Sequence, residues 1–496
     1  MKTSRLINAF MCARNLQWEA NVSSRFGVVS AAVVILCCAR VAAADELSDL
    51  KAQMKVMADK IEALEQKQRR EEQAPPKPAT APPTQVANPT TGAAVPPAWS
   101  SGPFSIQIYG TLLPMVTSIQ GGHNTRSQPS DGASQVPTSA YANTKTPSHW
   151  AFSLGSSNLG FRGVQAFNPT TRAVLQIESG VQLDSSPGAN TIASRNSWLG
   201  LQSDSYGFLF IGTNHTPYFY ACCIVGILKG NSFSEPTLLT SPGFNAPPVV
   251  QTPGRTGTVA DAIFNRRQGR SINYWTPVFA GLTARFQYSL NTGVSPVSAA
   301  PDAPTFSPTT ASAALLYDQG PIGLRVAFQQ HRDYFGMAYL GGAPGGTATN
   351  PSSRDYGYVA TAMYRFAPRT QVAAQWERLA YKSDDTIGPN IHRYSRNAFL
   401  LYGAYGFGTS HTVSLRYNKA LDGDCSRVNG ADCTTNGLGA QAWDAIYMYN
   451  MARNVDVWFA LYEVINRRSA TYTQTDRLVL PGERQSGAGI GLQFQF

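Results

Sequence analysis

From Phe104 to the C-terminus, apolar and polar residues alternate in short runs separated by turns, the period of strands that present one apolar face. The last run is the cleanest. In Ser486–Phe496, Ile490, Leu492, Phe494 and Phe496 alternate with Gly489, Gly491, Gln493 and Gln495, ending on an aromatic residue at the terminus. About sixteen such runs can be parsed, among them Phe104–Ile119, Ser156–Phe167, Thr171–Leu183, Leu282–Leu290, Ile322–Tyr334 and His411–Leu421. Every second connection is short, as at Asn168–Thr170, Asp204–Tyr206 and Pro368–Arg369, and the others are long and polar.

Parity assigns residues to faces. Leu324, Val326 and Phe328 share one side of their run, which puts Arg325 and Gln329 on the other. Phe286 and Tyr288 oppose Arg285 in the same way, and Val413, Leu415 and Tyr417 oppose Arg416 and Asn418. A soluble sandwich would turn those charges outward. Lipid outside and a polar lining inside account for both faces, so the pattern predicts an all-β fold, a transmembrane antiparallel β-barrel spanning residues 104–496. Closure removes unpaired sheet edges, and an even number of strands returns both ends to the short-turn, periplasmic side.

The N-terminal segments differ in kind. Phe26–Ala44 is the only long apolar run; it follows Arg5, Arg14 and Arg25 and ends in three alanines. Residues 1–44 therefore read as a signal peptide cut before Asp45. In residues 45–73, Leu50, Met54, Met57, Ile61 and Leu64 recur at alternating steps of three and four. That seam predicts a periplasmic coiled-coil helix, with a lone amphipathic helix as the competing reading. Residues 74–103, rich in Pro, Ala and Thr, form a linker.

Composition narrows the class further. Hydrophobic residues make up 43% of the chain, yet the mean hydropathy is −0.20. The mature part has no apolar run of the roughly 20 residues that a spanning helix needs. A net charge of +10 would suit nucleic acid, but the basic residues are scattered over strands and loops, and an exported protein does not meet the genome. Of seven cysteines, three leave with the signal peptide. Cys425 and Cys433 are placed to close a small disulfide loop, while adjacent Cys222 and Cys223 either form a vicinal disulfide or stay reduced. No spacing suggests a metal site or a cofactor. The six histidines lie in no nucleophile motif, and His331 and Asp333 read as polar residues at a strand mouth, so no enzyme is expected.

Six segments carry a family likeness: SIQIYGTL (Ser105–Leu112), SNLGFRG (Ser157–Gly163), AVLQIESGVQLD (Ala173–Asp184), SRNSWLGLQSDSYGFLFIGTNHTP (Ser194–Pro217), RSINYWTPVFAGLTARFQYS (Arg270–Ser289) and GIGLQFQF (Gly489–Phe496). In order and spacing they resemble the trimeric general porins of Gram-negative bacteria, the sixteen-stranded proteobacterial family. The heptad segment is similar to the periplasmic extension of dicarboxylate-channel porins. The resemblance implies a homotrimer and a third loop, residues 216–266, folded into the barrel to narrow it. It assigns Arg195 and Arg267 as constriction arginines and Arg162 as a basic wall residue. Asn158 stands where a further basic residue is expected.

In such pores acidic loop residues face the basic wall. Here the loop offers Glu235 and Asp261 against Lys229, Arg255 and Arg266. Residues 79–496 carry about 28 basic against about 21 acidic residues, a lining that draws anions. Arg162, Arg195, Arg267, Arg285, Arg325, Arg416, Glu235 and Asp261 are thus the candidate pore residues. The reading is an anion-preferring outer-membrane porin for small hydrophilic solutes, embedded in lipid and lipopolysaccharide. A channel selective for small carboxylates and a tether between the outer membrane and periplasmic partners are the alternatives.

Overall fold

The computed structural model describes residues 98–120, 148–182, 192–228, 237–244, 262–290, 308–334, 336–337, 352–383, 391–474, 479 and 482–496, together with Lys55. The chain divides into two units, residues 1–90 and 91–496. In the first, Lys55 is helical; the expected signal peptide and the rest of the expected coiled coil lie outside the described residues.

The second unit is one closed antiparallel sheet. Its strands are β1 (Ala98–Ser101), β2 (Phe104–Leu112), β3 (Met115–Gln120), β4 (His149–Ser153), β5 (Asn158–Asn168), β6 (Thr171–Gly180), β7 (Ser197–Ser203), β8 (Gly207–His215), β9 (Arg267–Trp275) and β10 (Leu282–Ser289). They continue as β11 (Thr309–Gln319), β12 (Ile322–Arg332), β13 (Ser353–Ala367), β14 (Thr370–Ser383), β15 (Ile391–Phe407), β16 (His411–Ala420), β17 (Asp424–Arg427), β18 (Ala440–Ala452), β19 (Val455–Asn466) and β20 (Arg484–Gln495). Here β2 with β3, and β4 with β5, each make one interrupted stave; β1 and β17 are short additions. The barrel therefore has the sixteen staves read from the alternation.

The interruptions have local causes. Pro114 cannot donate to the ladder, and the first stave breaks there. At the same level its neighbour breaks at residues 154–157, where Ser157 Oγ accepts the Leu113 N–H at 2.8 Å and donates to Leu154 O. The break hides His149–Ser153 from a sequence parse that starts this stave at Ser156. Before the barrel, β1 folds back on β2 through a two-residue turn with Gly102 at φ 59°. Ala98–Ser101 thus belongs to a hairpin within the segment read as linker.

Closure joins the first stave to the last. Thr111 and Leu112 face Gln495 and Phe494, and Met115–Gln120 runs against Ser486–Gly491. Gly110 and Phe496 exchange both backbone hydrogen bonds, at 3.0 and 3.1 Å. The terminal aromatic strand is therefore a seam.

Faces follow parity. On β16, Val413, Leu415 and Tyr417 are exposed while Thr412, Ser414, Arg416 and Asn418 are buried. The exposed apolar rows of Leu199, Leu201, Leu209, Ile211, Leu324, Val326, Leu401 and Leu415 form the lipid-facing band. Phe167, Tyr206, Phe279, Phe366, Phe407 and Phe494 ring its short-turn end, the aromatic girdle of an interface.

Candidate functional site

The longest described excursion of the chain into the barrel starts where β8 ends. Thr216 N–H donates to Arg266 O at 3.1 Å, which pinches the two ends of the loop together. The loop then enters through a one-turn helix, Phe219–Cys222, whose Cys222 is disulfide-bonded to Cys223. The wall holds it at several points. Tyr218 N–H donates to Ser312 Oγ at 3.1 Å, and its phenol donates to the Glu377 carboxylate. Burial, then the charge of Glu377, raises the Tyr218 phenol well above its ordinary pKa and keeps it a donor. Thr361 Oγ1 donates to Ala221 O at 2.7 Å, Tyr381 OH to Ala262 O at 2.7 Å, and Gln329 Nε2 to Phe264 O at 3.2 Å. Arg396 donates to Leu239 O at 2.7 Å and also to Ser241 O.

Apolar contacts seat the same loop. Leu238, Leu239, Phe244 and Phe264 are buried beside Leu379, Tyr381, Tyr394, Leu400 and Tyr402, all inward residues of β14 and β15. A uniformly polar interior, as parity alone implied, is corrected here. The wall beneath the loop is an apolar seat, because a docked loop excludes water from it.

A basic cluster occupies other staves. Arg162 on β5 donates to Gln176 Oε1 at 2.7 Å and lies 5.3 Å from the Tyr109 ring. Arg195, just before β7, pairs with Glu178 on β6 at 2.7 Å. Glu178 also accepts the Tyr109 phenol at 3.1 Å. Arg267, opening β9, donates to Asn196 Oδ1 at 3.1 Å, the atom that also accepts the His215 N–H at 3.2 Å. The three arginines read from sequence are thus gathered around Tyr109, Glu178 and Asn196. Tyr109 can lie there because residue 160 is glycine: a Cβ at that position would come within 2.4 Å of its ring.

The cluster rides on the second to sixth staves, whereas the loop's hydrogen bonds to the wall run from Ser312 on the eighth to Arg396 on the twelfth, and Leu228 of the loop is buried with Met115 of the first and Trp458 of the fifteenth.

The remaining candidates divide. Arg285, Arg325 and Arg416 point inward, but their surroundings cover them. Arg416 is 1% exposed and paired with Asp444 at 2.6 Å, and Arg325 is paired with Asp318 at 3.0 Å. Arg285 lies between the Trp275 and Tyr220 rings, 4.1 Å from each. Glu235 and Asp261 fall outside the described residues. His331 is buried against Phe264, with ring centroids 4.4 Å apart, and Asp333 bonds Ser353 N–H instead. Cys425 and Cys433 are disulfide-bonded in the external segment that carries β17. Glu178, Asn196, Glu377 and Arg396 escaped sequence reasoning. Glu178 was visible by parity on its run; Arg396 was not, since its acceptors are backbone carbonyls.

Residues 79–469 match the sequence profile of the Gram-negative porin family. The chain belongs to that family. Solved porin-like barrels agree in fold. They include an anion-selective porin from Comamonas acidovorans (18% identity, TM-score 0.57, 79% of this chain and 100% of that one). OmpT of Vibrio cholerae gives 13%, 0.52, 81% and 100%, and the outer membrane channel DcaP of Acinetobacter baumannii 12%, 0.51, 80% and 99%. No curated protein sequence matches. The porin is an outer-membrane β-barrel, and its family and fold are those of a channel.

Proposed function

We propose that this porin passes small hydrophilic solutes by diffusion and prefers anions. The observation that carries this reading is the wall where Arg162, Arg195 and Arg267 gather, with Glu178 the one carboxylate that pairs with them among the described residues. Three cations against one acid leave net positive charge where the docked loop narrows the lumen, and low-dielectric walls focus that field. The fold neighbour from Comamonas is itself described as anion-selective. Substituting Arg162 and Arg267 together by Gln should move the zero-current potential in a KCl gradient toward that of an unselective pore. An unchanged potential would oppose the reading. A channel selective for small carboxylates is the narrower form of the same idea.

The assembly we propose is a homotrimer, as in the trimer form known for the Vibrio protein. The signal peptide would be removed before Asp45, and residues 45–73 would form a periplasmic coiled coil below the barrel. Its role as a tether is separable, since deleting residues 45–97, which spares the β1–β2 hairpin, should leave conductance intact and change only assembly or partner binding.

Lipopolysaccharide is the proposed lipid partner. At the long-loop end, Arg332, Arg354, Lys382 and Arg393 stand directly opposite one another on β12, β13, β14 and β15, all on the outward face. Like charges in register repel. Arg332 has Asp333 at 3.8 Å, but the row as a whole suits the phosphates of an outer-leaflet glycolipid. Replacing Arg354 and Arg393 by Glu should reduce bisphosphorylated lipid A retained by the detergent-purified porin in native mass spectrometry. Equal retention would oppose this assignment.

A further inference from the structure

We infer that the lumen holds a binding site for aromatic carboxylates, built on Arg285 and a strip of inward-facing rings. This rests on the anion-preferring reading and deepens it. Arg195, Arg325 and Arg416 each meet a carboxylate. Arg285 does not. It is 9% exposed, and its Nε and Nη1 have no hydrogen-bond partner among the described residues. Its guanidinium is gripped by ring faces alone, Trp275 of β9 and Tyr220 of the constriction loop. Ring faces compensate a desolvated cation only in part, because they accept no hydrogen bond along the N–H directions. An oxyanion would supply the missing acceptors.

The rings continue away from Arg285. Trp275 meets Phe210 at 5.2 Å and Phe208 at 5.9 Å, and both meet Trp198 at 5.1 Å. Phe208 and Phe210 are buried, whereas Trp198 and Trp275 are half-buried inward residues that retain open surface. Trp198 stands in register with Gln176, the residue bonded by Arg162. An apolar strip therefore runs along the inner wall between two guanidinium groups. In a lumen meant only for inorganic ions such a strip has no use, since exposed apolar surface in water is unfavourable. Chloride would satisfy Arg285 and leave the rings bare. A carboxylate bearing an aromatic ring would satisfy both, the oxygens on Arg285 and the ring against tryptophan.

The test compares benzoate with acetate on the full-length porin, by block of chloride current in planar bilayers and by saturation-transfer NMR in detergent. Benzoate should act at concentrations roughly fivefold lower than acetate, the advantage that one ring stack confers. Trp198→Leu and Arg285→Lys are read by the benzoate-to-acetate ratio within each variant, so that any change in basal current cancels. The tryptophan variant should bring the ratio toward one, and Arg285→Lys should weaken both anions while keeping it. Equal action of the two anions on the native porin, or an unchanged ratio in Trp198→Leu, overturns the inference. Zero-current potentials in KCl alone report separately on anion preference, and the NMR signal reports on the site even if no current flows.

Discussion

At the residue scale, Glu178 is the acid that anchors the basic cluster among the described residues. Glu178 accepts from both Arg195 and Tyr109, so Glu178→Gln removes a negative charge without removing the positions of its donors. The zero-current potential should move further toward the anion potential, and a shift toward cations would contradict the assigned role. Arg416 and Asp444 behave differently, being a buried ion pair on the inner wall. Breaking it by Asp444→Asn should cost about 3–5 kcal/mol, read as a lower urea midpoint of the refolded barrel, whereas a matched apolar pair recovers most of the loss. Much of this was legible in advance. Parity alone turned Arg285, Arg325 and Arg416 inward, because a pleated strand leaves only two faces. What parity does not give is depth or company: Arg416 is covered and neutralised, which depends on Asp444 across the ladder.

At the scale of elements, the docked loop is fixed by bonds to its backbone carbonyls as much as by side chains. Arg396 holds two of those carbonyls, and Tyr218 reaches Glu377. Arg396→Met should loosen the loop and give larger, noisier single-channel steps; steps of native size and quietness would show that the apolar seat alone suffices. The docking was legible in the sequence only as a likeness. The loop's own residues reveal no periodic pattern, and its seat is assembled from β14 and β15, more than a hundred residues away. Strands were more legible, because alternation is local. The exception is β4, which lies beyond a Ser-capped break where the alternation of its stave is interrupted.

For the whole molecule, sixteen staves close on a C-terminal strand whose last residue exchanges backbone bonds with Gly110. The inner wall is uneven, with the arginines beside the loop's seat covered by Asp318, Asp444 or the loop's own carbonyls and Arg162, Arg195 and Arg267 gathered on other staves, and that asymmetry is the basis of the proposed selectivity. Stave number and orientation follow from the sequence because short and long connections alternate. The asymmetry does not, since it arises only when distant parts of the chain come together. The most direct measurement is planar-bilayer conductance of the mature porin across a KCl gradient. Steps in groups of three with a zero-current potential on the anion side are expected, and a potential on the cation side would overturn the proposed selectivity.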